Sequence, residues 1–316
     1  MAREATLEGK LVVLVGGSGF LGKHVAQALL ERGARLRIAA RHPGEAWAVR
    51  PLANLGQLQF VQCDVRRPES LAAALQGADA AAYLVGAFNG DLDEIHAKAA
   101  GRAAAIAARE GLQAFAYVSA LGVDAESDIA YSSSKAKGER LVLDAFPKAT
   151  ILRPSVLFGE DDSFVNMFAG LIAAFPALPV FAPEAKLQPL YVDDAADAIA
   201  NALADPATHG GRTYEIAGPE VLTMMELNQR IAKAQNRQRG LFPLPDAVAS
   251  ILAFLPGTPI NRDQLALLKA GNVAGGTLPG IKDLGVSPKP LALFLDRWMT
   301  RFRKAGRFGA KVRALR

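Results

Sequence analysis

The sequence predicts an α/β fold, a doubly wound parallel sheet followed by a smaller, irregular C-terminal region. Three observations predict it. A short apolar strand, Leu11 to Val15, runs straight into glycines at three-residue spacing; those glycines open an amphipathic helix; and β and α signals then alternate through the first half of the chain. Strand signals fall at 11–15, 35–40, 58–62, 80–85, 114–119 and 149–152, with helices at 20–32, 69–76, 92–110 and 131–145. That order calls for right-handed crossovers and parallel neighbours.

Beyond Arg153 the alternation loosens. Prolines gather at Pro176, Pro179, Pro183 and Pro189. A helix is predicted at 193–204, a strand near 213–217 and a helix at 223–234; a Pro- and Leu-rich stretch (241–260) precedes helices near 262–270 and 290–303. We therefore expect a Rossmann-type domain over residues 1–153. A smaller substrate-side region, 154–316, interleaves with the sheet, lies over the cofactor crevice and ends in a basic tail at 297–316. Phe164, Met167, Phe168, Leu171, Ile172 and Phe175 make an apolar wall, as domain core or as a pocket for an apolar tail.

The glycine turn reads Gly16-Gly17-Ser18-Gly19-Phe20-Leu21-Gly22. Gly16 would make the tight turn, Gly19 would let the backbone approach a pyrophosphate, and Gly22 would let the helix lie close on the strand. The free N–H groups from Ser18 to Gly22 would hold the anion. A purely structural turn is the bland alternative. The second strand ends at Arg41 with no carboxylate, where an acid would bind the ribose hydroxyls of NAD. A guanidinium there can pair with a 2′-phosphate, so Arg41, helped by Arg37 and His42, argues for NADP(H) over NAD(H). A surface arginine would look the same. Asp64-Val65 follows the third strand; Asp64 either accepts from the adenine amino group or caps the next turn.

Tyr131 and Lys135 lie one helical turn apart on one face. The ammonium would lower the phenol's pKa, Tyr131 would shuttle a proton at a carbonyl, and Lys135 would hold the nicotinamide ribose. Ser119, at the end of the fifth strand, is the hydroxyl placed to polarise that carbonyl.

Composition excludes several classes. The chain has 316 residues, 51% hydrophobic and 21% charged, an ordinary globular balance. One cysteine, Cys63, excludes an internal disulfide and leaves too few thiols for a zinc or iron–sulfur site, so no metal is expected. No window has the roughly 18 uninterrupted apolar residues of a membrane span, and no signal peptide is visible. The net charge of +5 is concentrated from Arg297 to Arg316, where eight basic residues occur without an acid. That run is either a solvated helix end or a contact for a membrane surface or protein assembly. Nucleic acid is not expected, since no binding motif accompanies the charge.

These motifs resemble the short-chain dehydrogenase/reductase superfamily in its extended or atypical branch. The matching residues are Gly16-x-x-Gly19-x-x-Gly22, Asp64-Val65, Ser119, Tyr131-x-x-x-Lys135, Arg153-Pro154-Ser155-Val156-Leu157-Phe158-Gly159 and Tyr191-Val192-Asp193-Asp194. The resemblance implies a Ser119–Tyr131–Lys135 catalytic set and adds Val85, Pro154 and Val156 to the nucleotide contacts. Four further stretches, Ala145-Phe146-Pro147, Gln188-Pro189-Leu190, Arg262 to Lys269 and Asn272-Val273, sharpen it. With them the chain resembles the nucleotide-binding accessory subunit of respiratory complex I, the alpha subcomplex subunit nine family. That implies NADPH as a structural ligand, protein partners in a respiratory complex, and a cytoplasmic protein that sits peripherally on the cytoplasmic face of the inner membrane. Trp298, Phe302 and Phe308 among the C-terminal cations suit such docking. The competing reading is a working NADP-dependent oxidoreductase or epimerase on a small or isoprenoid carbonyl or alcohol.

Overall fold

The computed structural model describes residues 7–252, 262–304 and 306, and the chain divides into two compact units. The first comprises Met1–Pro154, Val192–Ala217 and Ala274–Pro288. Its strands are β1 (Leu11–Val15), β2 (Arg35–Ala40), β3 (Leu58–Gln62), β4 (Ala80–Tyr83), β5 (Ala114–Val118), β6 (Thr150–Pro154) and β7 (Thr213–Ile216). They form one parallel sheet in the order β7-β6-β5-β4-β1-β2-β3. The order reverses between β1 and β4, and in such sheets ligands bind outside the strand ends at that point.

The unit's longer helices are α1 (Phe20–Glu31), α2 (Pro68–Leu75), α3 (Ala99–Arg109), α4 (Ala130–Ala145) and α5 (Val192–Ala204). One face of the sheet is covered by α3, whose buried Ala99, Ala100, Ala103, Ala104 and Ala107 share a core with Tyr83, Phe115, Tyr117 and Ile151. Methyl-sized side chains let this helix lie close, leaving room for large strand residues. Helix α1 is tied to α5 by Arg32, which donates to Asp197 (3.0 Å) and Asn201 (2.9 Å).

Some boundaries move. The fourth and fifth strands stop at Tyr83 and Val118, and the sixth runs on to Pro154. The stretch predicted as one helix over 92–110 begins instead with a π-helical turn, Asp93–Lys98. The stretch at 290–303 is an α-helix over Ala292–Trp298 that tightens into a 3-10 turn, Met299–Phe302.

The second unit comprises Ser155–Tyr191, Gly218–Val273 and Lys289–Arg316. The helices Phe164–Ala174 and Met224–Ala234 bury Phe168, Ile172, Leu227 and Ile231 in its core, beside Trp298 and Met299. The second helix is started by a capping box between Thr223 and Glu226. Strands here are short: Ala177–Val180 pairs with Gly240–Pro243, and among the described residues three other pairings involve only two residues a side or one. Of the expected apolar wall, Phe168 and Ile172 are buried core, whereas Phe175 is 51% exposed because it follows the helix end.

Candidate nucleotide-binding site

The glycine turn leaves β1 and enters α1. Gly16 has φ +83° and donates its N–H to Ala39 O (2.8 Å); a Cβ there would lie 2.9 Å from Val85 Cγ2. A Cβ on Gly22 would lie 2.5 Å from Gly17 O. Backbone conformation and helix–strand contact therefore require these two glycines. Gly19 differs. Its φ of −73° suits any residue, and its Cβ would meet nothing closer than Gly16 O at 3.6 Å. Neither strain nor packing asks for glycine, which leaves a cradle that a side chain would fill. Beside it, α1 starts without a side-chain cap and without an acid in its first turn. The N–H groups of Phe20, Leu21 and Gly22 belong to that first turn and lack intrahelical acceptors, and the dipole there favours an anion. The cradle fits a dinucleotide's pyrophosphate.

Around it, the expected residues behave unequally. Arg41 follows β2 and is exposed. Arg37, expected to help it, does not. It sits inside β2, and its guanidinium binds Gln59 Oε1 (2.9 Å) and the carbonyls of Ala74 and Gln76 (both 2.8 Å) at the end of α2. His42 stays exposed at the start of a 3-10 segment, Pro43–Leu52. Asp64 accepts from the Arg66 main chain (3.1 Å) and from its guanidinium (3.0 and 2.7 Å). Those bonds hold its carboxyl down at about 2. The turn-capping arrangement is thus present, and Val65 beside it accepts from Arg102 (3.3 Å).

Lys135, on α4, is buried and donates to Val85 O (3.1 Å) and Val118 O (2.8 Å), with its ammonium 5.2 Å from the centre of the Tyr117 ring. An ammonium has three donors, so one remains for a ligand hydroxyl. Burial pulls Lys135 down to about 7, against the smaller opposing effect of Glu139. Glu139 itself pairs with both arms of Arg153 on β6 (2.8 and 2.6 Å). Tyr131 overturns one expectation. Its phenol is pushed up to about 12 by burial, with no relief from Lys135, whose bonds go to strand-end carbonyls. Its ring lies between Phe88 (centroids 4.7 Å, stacked) and His96 (5.3 Å, edge-on). Ser119, just past β5, is buried, and its Oγ has no hydrogen-bond partner among the described residues.

Pro154 ends β6, where its carbonyl accepts from Leu121 (3.0 Å). Val156 belongs to the second unit, and there its N–H goes to Asn272 Oδ1 (2.6 Å) and its carbonyl accepts from Leu190 (3.0 Å). The C-terminal aromatics also need correcting. Trp298 is core, packed with Phe158 and Phe294, and Phe302 packs against the same cluster. Arg303 binds Ala234 O (2.9 Å) and Arg237 binds Phe302 O (2.9 Å), so this part of the tail is fastened to the unit. Phe308 and the basic residues from Arg307 onward lie outside the described residues.

Comparison with known proteins then bears on the identity of the fold. The NAD(P)H-binding family matches residues 16–168, and the RmlD substrate binding domain family matches residues 126–273. The mitochondrial NADH dehydrogenase [ubiquinone] 1 alpha subcomplex subunit 9 of Mus musculus is 33% identical over 302 residues, covering 92% of this chain and 79% of that protein. The chain belongs to the alpha subcomplex subunit 9 family. The Dictyostelium discoideum member is 32% identical over 312 residues, covering 95% and 86%. Among solved structures, the triphenylmethane reductase of Citrobacter sp. complexed with NADP(H) shares the fold, with TM-score 0.74 and 21% identity over 91% of this chain and 99% of that one.

Two site residues of this family member escaped sequence reasoning. His96 sits mid-way through an apparently continuous helical pattern, where a lone histidine reads as packing. Phe88 lies in a short loop with no periodicity to mark it. Among the described residues, no helix is long and apolar enough to cross a membrane.

Proposed function

We propose that the chain binds NADPH in preference to NADH and serves as an accessory, largely non-catalytic subunit of a respiratory NADH dehydrogenase. The cradle at Gly19, the uncapped start of α1 and the exposed Arg41 support the nucleotide reading. Ser18 to Gly22 would hold the pyrophosphate, Asp64, Val65, Val85 and Pro154 would flank the nucleotide, and Lys135 would take a ribose hydroxyl. A nicotinamide held there would supply or accept a hydride. One observation carries the non-catalytic reading: Tyr131 has a phenol raised to about 12 by burial, while the Lys135 ammonium is engaged by two carbonyls. A proton donor so poised gives up its proton reluctantly at neutral pH. The relatives' name supports the partner.

A second reading, an active reductase or epimerase, draws support from the unpartnered Ser119 Oγ, which suits a substrate carbonyl. Tyr131→Phe separates the two. On the accessory reading, NADPH affinity and co-migration with a large complex from native membranes stay within about twofold, because the variant removes only one acid–base hydroxyl, and no carbonyl oxidises bound NADPH. A turnover that falls roughly a hundredfold in Tyr131→Phe, the usual scale of such a group, overturns it. Cofactor choice has its own test. Calorimetry should show Arg41→Asp reversing the preference, since a charge-assisted pair is worth about 1.5–3 kcal/mol, tenfold or more. Equal wild-type affinities for the two cofactors defeat that part.

A further inference from the structure

Around Tyr131 runs a network that none of the expected site residues accounts for. The π-helical turn Asp93–Lys98 delivers His96 into the interior, fully buried. Two strand tyrosines hold this turn from below: Tyr83 donates to Ile95 O (2.6 Å) and Tyr117 to His96 O (2.9 Å). On α4, Gly138 makes room for the same carbonyl, since a Cβ there would lie 2.2 Å from His96 O. The imidazole then bonds at both nitrogens. Nε2 accepts from the Ala87 N–H (3.0 Å), and Nδ1 faces Ser134 Oγ (2.9 Å). The hydroxyl of Ser134 is turned onto Tyr131 O (3.1 Å), so its oxygen is left to accept from Nδ1–H. Only one tautomer satisfies both contacts, with the proton on Nδ1 and the lone pair on Nε2.

The segment that His96 grips borders the glycine turn. Leu84 donates to Val15 O (2.8 Å), Val85 N lies 3.1 Å from the Cβ position of Gly16, and Val85 O takes the Lys135 ammonium. Past Ala87, the Phe88 ring lies face-on against Tyr131 although 43% of it is exposed. We propose that His96 is a positioning residue for the nucleotide site: its neutral Nδ1–H tautomer latches the segment 85–88 onto α4, fixing Phe88 on Tyr131 and the Val85 backbone beside the glycine turn. Ser134 sets the latch by choosing the tautomer. The ligand served is the nicotinamide dinucleotide, so the inference rests on the nucleotide reading above.

Without Nδ1–H bound to Ser134, imidazole can carry its proton on Nε2 instead, donor facing donor at Ala87. Ser134→Ala therefore loosens a loop that Ser134 does not touch. The test uses the full chain and two readouts, amide exchange over residues 85–88 and NADPH affinity by calorimetry. His96→Phe, similar in volume but unable to accept, should speed exchange at Ala87 by at least about tenfold, because opening of the segment becomes cheap, and should weaken NADPH by about tenfold, because the segment then lies mostly open and the nucleotide has to order it on binding. His96→Gln, whose Oε1 can take the Ala87 N–H, should restore most of both. Ser134→Ala should fall between them. Should His96→Phe fail to fold, Ser134→Ala and His96→Gln alone still order the effects. Unchanged Ala87 exchange in Ser134→Ala and His96→Phe, or glutamine no better than phenylalanine, overturns the latch. A wild type that binds no NADPH defeats the nucleotide reading and the positioning role together. Normal NADPH affinity with fast Ala87 exchange in the variants defeats the positioning role alone.

Discussion

Lys135 has an ordinary value of 10.5 and is held at about 7 in the folded chain. Burial penalises its ammonium more than Glu139, one helical turn on, supports it. The consequence for stability has a definite sign. Between 7 and 10.5 the unfolded chain binds a proton that the folded chain does not, so this group's contribution rises with pH through that window and is lost as pH falls toward 7. Below 7 both states carry the proton and the slope vanishes. The unfolding free energy of wild type minus that of Lys135→Met should therefore increase across the window, read by urea denaturation at a series of pH values. A flat difference would mean that the folded lysine keeps its charge. At this same scale, Gly16, Gly19 and Gly22 were all legible in the sequence, because their spacing against a strand and a helix is local. Their separate duties were legible too, as a tight turn at Gly16, a close helix contact at Gly22 and open space at Gly19, and the structure adds the contacts that enforce the first two.

The parallel strands and the main helices of the first unit were legible to within a few residues, since they show their own periodicity and most are followed closely by glycine or proline. The π-helical turn was not. One extra residue in a turn leaves the apolar face of 92–110 nearly in phase, so the sequence reads as a single helix. What maintains the turn comes from far away in the chain, the hydroxyls of Tyr83 and Tyr117 on paired strands. The two-residue strands of the second unit were equally hidden, because long-range pairing defines them and no run of residues does. Tyr83→Phe or Tyr117→Phe should each cost about 0.5–1.5 kcal/mol, the net worth of one buried hydrogen bond to a helix carbonyl. Chemical denaturation would measure it. Losses near zero would show that the turn keeps itself without the tyrosines.

For the whole molecule, a nucleotide that binds only the folded chain acts by mass action. Stabilisation follows RT ln(1 + [L]/Kd), about 2.7 kcal/mol at a hundredfold excess over Kd, and keeps growing with concentration. Melting curves with increasing NADPH should therefore climb without a plateau, and NADH should give a smaller rise at equal concentration if Arg41 selects the 2′-phosphate. Gly19→Val is the decisive control. Its backbone angle is ordinary and its Cβ has 3.6 Å of clearance, so the protein without nucleotide should melt close to wild type. Valine's methyls would nonetheless fill the cradle beside the first turn of α1, and the NADPH-dependent rise should disappear. The pairing of an intact basal melt with a lost rise is what distinguishes an occupied cradle from a weakened fold. A rise that survives in Gly19→Val would place the nucleotide elsewhere on the chain; a basal melt that collapses would mean that Gly19, like Gly16 and Gly22, serves the fold itself.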